Sequence, residues 1–405
     1  MTTVDTRGRG LQDLRVSVTD RCNFRCTYCM PRELFGPDHA FLERSELLSF
    51  EEIVRVVRAA AGHGVSKIRL TGGEPLLRRG LPDLVAMIRA VDGIDDIAMT
   101  TNGVLLPDLL PDLVEAGLDR VTVSLDAMAP ETFLRMADTK VDVGVVLAAI
   151  DASVEAGLRT KVNAVVQRGV NEDQIVPLAE MGRDKGVTVR FIEFMDVGST
   201  NRWTPTDVVS AQEILDTIGA VHPLEGADEH RGTAVADTHR YADGGGTVGV
   251  IASVTQPFCA TCVRARLSAI GELFTCLFAS KGHDLRAFLR DERATDPELV
   301  EELGRIWGRR TDRYSEVRHQ RQHQPADRVG PGPPGPTASR LDQAGSSIWT
   351  TWRLTASRVA RTTASRASPR TSAAPSSSWS SAFTWTVTWS SSPSIVPIRS
   401  IRLTS

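Results

Sequence analysis

At 405 residues the chain is long enough for two or three domains with a substantial buried core. Its 47 Lys and Arg nearly balance 50 Asp and Glu, for a net charge of −3. That balance excludes the basic field of a nucleic-acid binder and the acidic field of a charged tail protein, so any anion site must be local. The first residues, Met1 to Arg7, contain no apolar signal-peptide core, and apolar runs such as Val145 to Ile150 are too short to span a bilayer. The expectation is a cytoplasmic protein that engages neither membrane nor nucleic acid.

The first predicted strand, residues 14–18, leads straight into Cys22-Asn23-Phe24-Arg25-Cys26-Thr27-Tyr28-Cys29, a C-x3-C-x2-C run. Three thiols in one short loop suit a metal or iron–sulfur site better than disulfides, which need facing pairs and would leave one thiol over. A [4Fe–4S] cube held by three cysteines keeps one iron open to a small chelating molecule. The alternatives at this point are a zinc loop borrowing a fourth ligand, or three unconnected thiols.

Further strand-like runs occur at residues 67–70, 97–100, 120–124, 161–166 and 188–194. Helical patterns lie between them at 50–61, 81–91, 107–116, 142–156 and 173–185, the first opened by a capping box, Ser49 with Glu52. Six βα units in a row require parallel strands with right-handed crossovers, in a doubly wound sheet or a barrel-type sheet. The barrel reading is favoured because the unusual residues sit just past successive strand ends, where barrels build their sites. These are Thr71-Gly72-Gly73-Glu74-Pro75, Thr100-Thr101-Asn102-Gly103, Ser124-Leu125-Asp126 and Glu193-Phe194-Met195-Asp196. The paired glycines are expected to let backbone groups approach a ligand that a Cβ would exclude.

Beyond residue 195 the pattern loosens. Asn201-Arg202-Trp203 reads as a polar crossing, 211–218 as a short helix, 222–243 as a loop-rich stretch and 248–252 as a strand. Cys259-Ala260-Thr261-Cys262 then begins a second triple that Cys276 completes. Between them Arg264-Ala265-Arg266-Leu267-Ser268 alternates as a strand, with Ile270-Gly271-Glu272 as the turn that brings Cys276 back beside Cys259 and Cys262. Six cysteines in two triples fit metal clusters in a reducing compartment, and the hairpin holds no fourth ligand to close a zinc site.

From Leu14 to Arg318 the sequence resembles the molybdenum-cofactor GTP 3′,8-cyclase family of the radical S-adenosylmethionine superfamily. The blocks that carry the resemblance are LRVSVTDRCNFRCTYCMP, KIRLTGGEPLLRR, TTNG, VSLDA, KVNAVVQ, FIEFMDVG, CATCVRARL with GELFTCLF, and DRYSEVR. The first triple and the GGEP block are shared across the superfamily, whereas the second triple with R-x-R inside it discriminates. The resemblance implies a partial (β/α)6 barrel over residues 1–195, a second-cluster and GTP-binding region with β structure over 196–318, and two [4Fe–4S] clusters. Cys22, Cys26 and Cys29 would hold the first cluster, and Cys259, Cys262 and Cys276 the second. Tyr28, Gly73, Ser124 and Met195 would line the S-adenosylmethionine site, and Arg15, Arg69, Thr100, Lys161, Arg264, Ala265 and Arg266 the GTP site, with Arg264 and Arg266 also counted as catalytic beside the first three cysteines.

The implied reaction is the first step of molybdopterin synthesis, conversion of GTP to (8S)-3′,8-cyclo-7,8-dihydroguanosine 5′-triphosphate. A 5′-deoxyadenosyl radical takes hydrogen from the ribose C3′, and the carbon radical attacks guanine C8. The implied partners are GTP, an external one-electron reductant, the next enzyme of the pathway and a second copy in a homodimer. Arg15, Arg69 and Lys161 lie on strands whose outer faces helices cover, so their charges are expected to face the barrel interior, where a triphosphate needs them. The region 319–405 departs from the family. It is rich in Pro, Ser, Thr and Arg without periodicity, as in disordered chain or coding sequence read out of frame, and lacks the family's terminal Gly-Gly, which reaches into the active site. Two other readings stay open: another radical S-adenosylmethionine enzyme with an auxiliary cluster, or a catalytically silent iron–sulfur protein.

Overall fold

Period-two patterning organises the core. In a computed structural model, which describes residues 3–197, 201, 203–227 and 232–322, six parallel strands alternate with helices. In chain order these are β1 (Asp13–Ser17), α1 (Phe50–Gly62), β2 (Lys67–Thr71), α2 (Leu81–Arg89), β3 (Asp96–Thr101), α3 (Leu106–Glu115) and β4 (Arg120–Ser124). Then come α4 (Pro130–Ala137), α5 (Val143–Glu155), β5 (Arg159–Val166), α6 (Ile175–Asp184) and β6 (Thr188–Glu193). Every expected strand and helix is present within a few residues, and α4 is an addition. Ser49 and Glu52 form the expected capping box of α1, each bonding the other's backbone N–H.

The rest of the described chain adds α7 (Ala211–Gly219), β7 (Leu224–Ala227), β8 (Asp237–Tyr241), β9 (Thr247–Ile251), β10 (Arg264–Leu267), β11 (Glu272–Phe274), β12 (His283–Asp284), α8 (Leu285–Leu289), α9 (Asp296–Gly308) and α10 (Tyr314–Gln322). All strands join one sheet in the order β12-β11-β10-β1-β2-β3-β4-β5-β6-β9-β8-β7. The later strands thus extend both edges of the parallel core: β10 pairs in parallel with β1, and β9 with β6. Because the order is linear, the barrel is partial, as expected.

Two expectations need correction. The stretch 222–243, read as loop-rich, contributes β7 and β8, an antiparallel pair with a register irregularity between Leu224 and Ala227. The second cysteine hairpin turns at residues 268–271, with Glu272 already in β11. Ser268 N–H donates to the Glu272 carbonyl at 2.8 Å, and Gly271 takes the left-handed conformation that the turn requires (φ +87°). Arg202, residues 228–231 and the region from 323 on, which holds most of the expected tail, lie outside the described residues.

Alternation decides what faces inward. Leu14 and Val16, Ile68 and Leu70, Val162 and Ala164, and Val189 and Phe191 are all at most 1% exposed and join the apolar core beneath the helices. Their neighbours Arg15, Arg69, Lys161 and Arg190 point the other way and line a cavity. No helix among the described residues is long and apolar enough to cross a membrane.

Candidate active site

The first triple sits on a loop between β1 and the α1 region, folded against two neighbours. Thr27 N–H donates to the Met136 carbonyl at 2.9 Å and Arg25 N–H to the Ala137 carbonyl at 3.0 Å, so the C-terminal end of α4 braces it. On its other side, Gly73 N–H donates to the Thr19 carbonyl and Glu74 N–H to the Arg21 carbonyl, at 2.8 and 2.7 Å. A Cβ on Gly73 would stand 2.3 Å from the Arg21 oxygen, and one on Gly72 would stand 2.6 Å from the Thr19 oxygen. On the side where a Cβ would project, these glycines make room for the backbone leading into Cys22.

Glu74, 1% exposed, fastens this junction by accepting from Thr101 Oγ1 and Asn102 N–H at 2.7 Å each and from Leu76 N–H at 3.1 Å. Burial pushes its carboxyl up, while these donors pull the other way. Tyr28 donates its hydroxyl to Asp126 Oδ2 at 2.7 Å, and Val165 N–H donates to Asp126 Oδ1 at 2.8 Å. Sequence reading placed Asp126 at a strand end without assigning it a partner. Burial raises its carboxyl to about 6 against the pull of both donors.

The three thiols form a donor set suited to an iron cluster. Burial pushes the Cys22 thiol up, and burial together with the charges of Asp126, Cys29 and Cys22 pushes Cys26 well up. As thiolates these sulfurs are costly without a cation, and an iron cluster supplies one. Among the described residues no three His, Cys, Asp or Glu side chains are gathered as a single metal ion requires. A four-iron cube asks something different of its ligands, since each cysteine binds its own iron.

The second triple opens on a cavity of about 630 Å³. Cys259, Cys262 and Cys276 all line it, as expected from the hairpin, together with Arg15, Arg69, Thr100, Lys161, Met195, Arg264 and Arg266. Six of the seven residues assigned to GTP by resemblance thus meet in one place. Ala265 does not, since its methyl group joins the core on the opposite face of β10, leaving only its backbone near the cavity. Met195 is the one residue assigned to S-adenosylmethionine that lines this cavity. Tyr28 and Gly73 lie with the first triple, and Ser124 ends β4 opposite Asn163 of β5.

The sheet register sets the charge density. Arg266 of β10 lies opposite Arg15 of β1, which lies opposite Arg69 of β2. Curling of the sheet lets Arg69 reach across two strands to donate to Thr122 Oγ1 at 3.4 Å, besides Thr100 Oγ1 at 3.2 Å; Arg190 donates to the same Thr122 at 3.2 Å. Sequence reasoning missed Lys67, Arg120 and Arg190 here, since the resemblance supplied Arg15, Arg69 and Lys161 but not these three, which lie on β2, β4 and β6. The lining holds nine Arg or Lys side chains against two Asp. Burial, then mutual repulsion, lowers Arg69 and Arg190 to about 10 and Arg266 to about 9, and lowers Lys161 as well. Arg15 is also lowered to about 10 by burial, with Asp13 opposing. At about 9 to 10, Arg15, Arg69, Arg190 and Arg266 remain charged at neutral pH. The side-chain Nε atoms of Arg15, Arg190 and Arg264 are buried without a hydrogen-bond partner. Burial opposes ionisation of Cys262, but Arg264 and Arg310 outweigh it and hold that thiol down to about 6. The cavity is built for a polyanion beside three sulfurs.

Comparison with known proteins agrees with this geometry. Residues 16–182 match the family described as "Radical SAM superfamily", and residues 187–316 match "Molybdenum Cofactor Synthesis C". Three proteins named "GTP 3′,8-cyclase" are similar to this chain. That of Acidothermus cellulolyticus is 55% identical over 318 residues, covering 78% of this chain and 88% of its own length. That of Xanthomonas axonopodis pv. citri is 50% identical over 315 residues, covering 78% and 93%. That of Staphylococcus haemolyticus is 47% identical over 315 residues, covering 78% and 92%. The solved structure of Streptococcus suis SuiB bound to S-adenosylmethionine superimposes with a TM-score of 0.53 over 77% of this chain and 69% of that one, at 13% identity, a likeness of fold. The chain belongs to the GTP 3′,8-cyclase family of radical S-adenosylmethionine enzymes.

Proposed function

We propose that this chain converts GTP to its 3′,8-cyclised dihydro derivative, the first step of molybdenum-cofactor synthesis. Arg15, Lys67, Arg69, Lys161 and Arg190 would hold the triphosphate, and the guanine would lie toward Cys259, Cys262 and Cys276 beside Arg264 and Arg266. The observation that carries this reading is the set of nine cations against two carboxylates lining one cavity with a cysteine triple. Such crowding costs folding free energy that a bound polyanion offsets.

Cys22, Cys26 and Cys29 would hold one four-iron cluster and Cys259, Cys262 and Cys276 another. When bound, the reduced first cluster and S-adenosylmethionine supply the hydrogen-abstracting chemistry at the ribose C3′. Within the chain, Thr100 and Thr122 orient Arg69, and the register of β1, β2 and β10 aligns the guanidiniums in a row. The lumen then fixes the ribose by gripping both ends of the nucleotide, and positioning of this kind is what the protein contributes to a cofactor's chemistry. An external one-electron reductant must serve the first cluster.

Anaerobic reconstitution with iron and sulfide, then incubation with S-adenosylmethionine, dithionite and GTP, tests the proposal. About eight irons per chain are expected, two cubes of four, with cyclised product. Cys26→Ala is expected to halve the iron and abolish S-adenosylmethionine cleavage. About four irons in the unmutated protein would refute the second cluster, and turnover of S-adenosylmethionine without any GTP-derived product would refute the cyclase reading.

A further inference from the structure

The C-x2-C loop that begins the second triple has little structure of its own. It is one short 3-10 turn, Cys259–Thr261, closed by Cys262 N–H donating to the Cys259 carbonyl at 3.2 Å. Its support comes from a buried charge network centred on Asp5, whose members are not among the side chains assigned to the triphosphate or the guanine. Asp5, whose side chain is 0% exposed, accepts from Arg9 Nε at 2.6 Å and from the Arg7 and Arg9 backbone N–H groups at 2.8 and 2.9 Å. Arg310, also buried, stands 3.5 Å from the same carboxylate.

The two guanidiniums that meet at Asp5 each take one end of the loop. Arg9 donates to the Cys259 carbonyl at 2.8 Å, and Arg310 to the Cys262 carbonyl at 2.7 Å. The third cysteine is reached through Asp312, which accepts from Arg9 at its backbone carbonyl (2.8 Å), lies 3.6 Å from Arg310 Nε, and accepts at 2.6 Å from the hydroxyl of Thr275, next to Cys276.

A buried ion pair gives stability no better than well-packed apolar side chains would. What it does give is fixed donors in a fork geometry, aimed here at peptide carbonyls of the cysteine loop. We infer that Asp5, Arg9, Arg310 and Asp312 are positioning residues that set the spacing of Cys259, Cys262 and Cys276 for the second cluster. The inference rests on the proposed second cluster. Residues behind a metal's ligands commonly govern affinity about 10- to 100-fold.

The test uses reconstituted full-length protein carrying Asp5→Asn, which keeps the shape but removes the charge between the guanidiniums, or Arg310→Lys, which keeps the charge but loses the fork. Iron is counted, and its release to a chelator is timed. Leu113→Ala, in the buried face of α3, is the control for lost stability alone. Cys259→Ala is the control for the cluster. The expected result is that half the iron leaves the Asp5 and Arg310 variants about 10- to 100-fold faster than the unmutated protein, while uncoupled S-adenosylmethionine cleavage persists. Leu113→Ala should melt at lower temperature with unchanged iron release. Unchanged release from the Asp5 and Arg310 variants, with Cys259→Ala holding about half the iron, would overturn the inference and leave the cluster reading intact. Equally rapid release from Leu113→Ala would overturn it too. If Cys259→Ala keeps all the iron of the unmutated protein, the cluster reading fails and takes the inference with it.

Discussion

At the residue scale, the lumen shows a conflict between stability and function. Arg15, Arg69, Arg190 and Arg266 are all held below their usual range by burial, and all but Arg15 chiefly by like charges thereafter. Arg190 was not found in the sequence because a lone Arg in Thr188-Val189-Arg190-Phe191 reads equally well as an exposed strand charge. Only the curl of the sheet brings it to Thr122. Replacing it separates the two demands. Arg190→Ala is expected to raise the KM for GTP roughly 10- to 100-fold, the loss of one charge-assisted contact of about 1.5–3 kcal/mol, without slowing uncoupled S-adenosylmethionine cleavage. The nucleotide-free protein should melt no lower than the parent, because a repulsive charge is gone, while the rise in Tm on adding GTP should shrink. An unchanged KM would remove Arg190 from the GTP site.

At the element scale, the parallel core was legible because each strand is bounded by turn residues and each helix has an amphipathic stripe. The cysteine hairpin was legible because Arg264-Ala265-Arg266-Leu267 alternates cleanly. The β7–β8 pair was not, since Asp237-Thr238-His239-Arg240 offers no apolar face and its partner is irregular in register. The short α4 was hidden by its Ala129-Pro130 start, which lacks a side-chain cap. The meaning of the Gly72-Gly73 pair was also hidden, because sequence shows that a Cβ is excluded but not what excludes it. Since backbone occupies that space, Gly73→Ala must push the loop after β2 away from the loop carrying Cys22. Overpacking of this kind costs about 1–3 kcal/mol. The variant is expected to lose first-cluster iron selectively, keeping about four irons per chain with S-adenosylmethionine cleavage abolished. Retention of the full iron content with only weaker S-adenosylmethionine binding would mean that Gly73 serves ligand approach and not loop packing.

At the scale of the whole molecule, α10 is where the described chain closes on itself. Arg318 donates to the Ser253 carbonyl at 3.1 Å and pairs with Asp196 at 2.8 Å, while Tyr314 donates to the other Asp196 oxygen at 2.7 Å. The Tyr314 ring stacks on Phe278 at 4.4 Å, two residues beyond Cys276, and the Arg318 guanidinium lies 5.2 Å from the Phe278 ring centre. One helix thereby ties the end of β6, which precedes Met195 and Asp196, to both arms of the second cysteine region. The DRYSEVR block was legible as a family signature, but the reason for its Tyr and Arg was not, because their partners lie 65 and 118 residues away in sequence. Two truncations isolate the contribution of this helix. A chain ending at Gln322 keeps all of these contacts and is expected to hold about eight irons and cleave S-adenosylmethionine at the parent rate. A chain ending at Arg313 still contains Asp312, yet it loses both the stacked ring and the buried cation. Its Asp196 is left without the Arg318 charge, and the segment around Phe278 without cover, so the second cluster should be lost to a chelator well before the first. If the shorter chain retains all its iron as long as the longer one, α10 is an appendage and not the clasp between the two halves of the site.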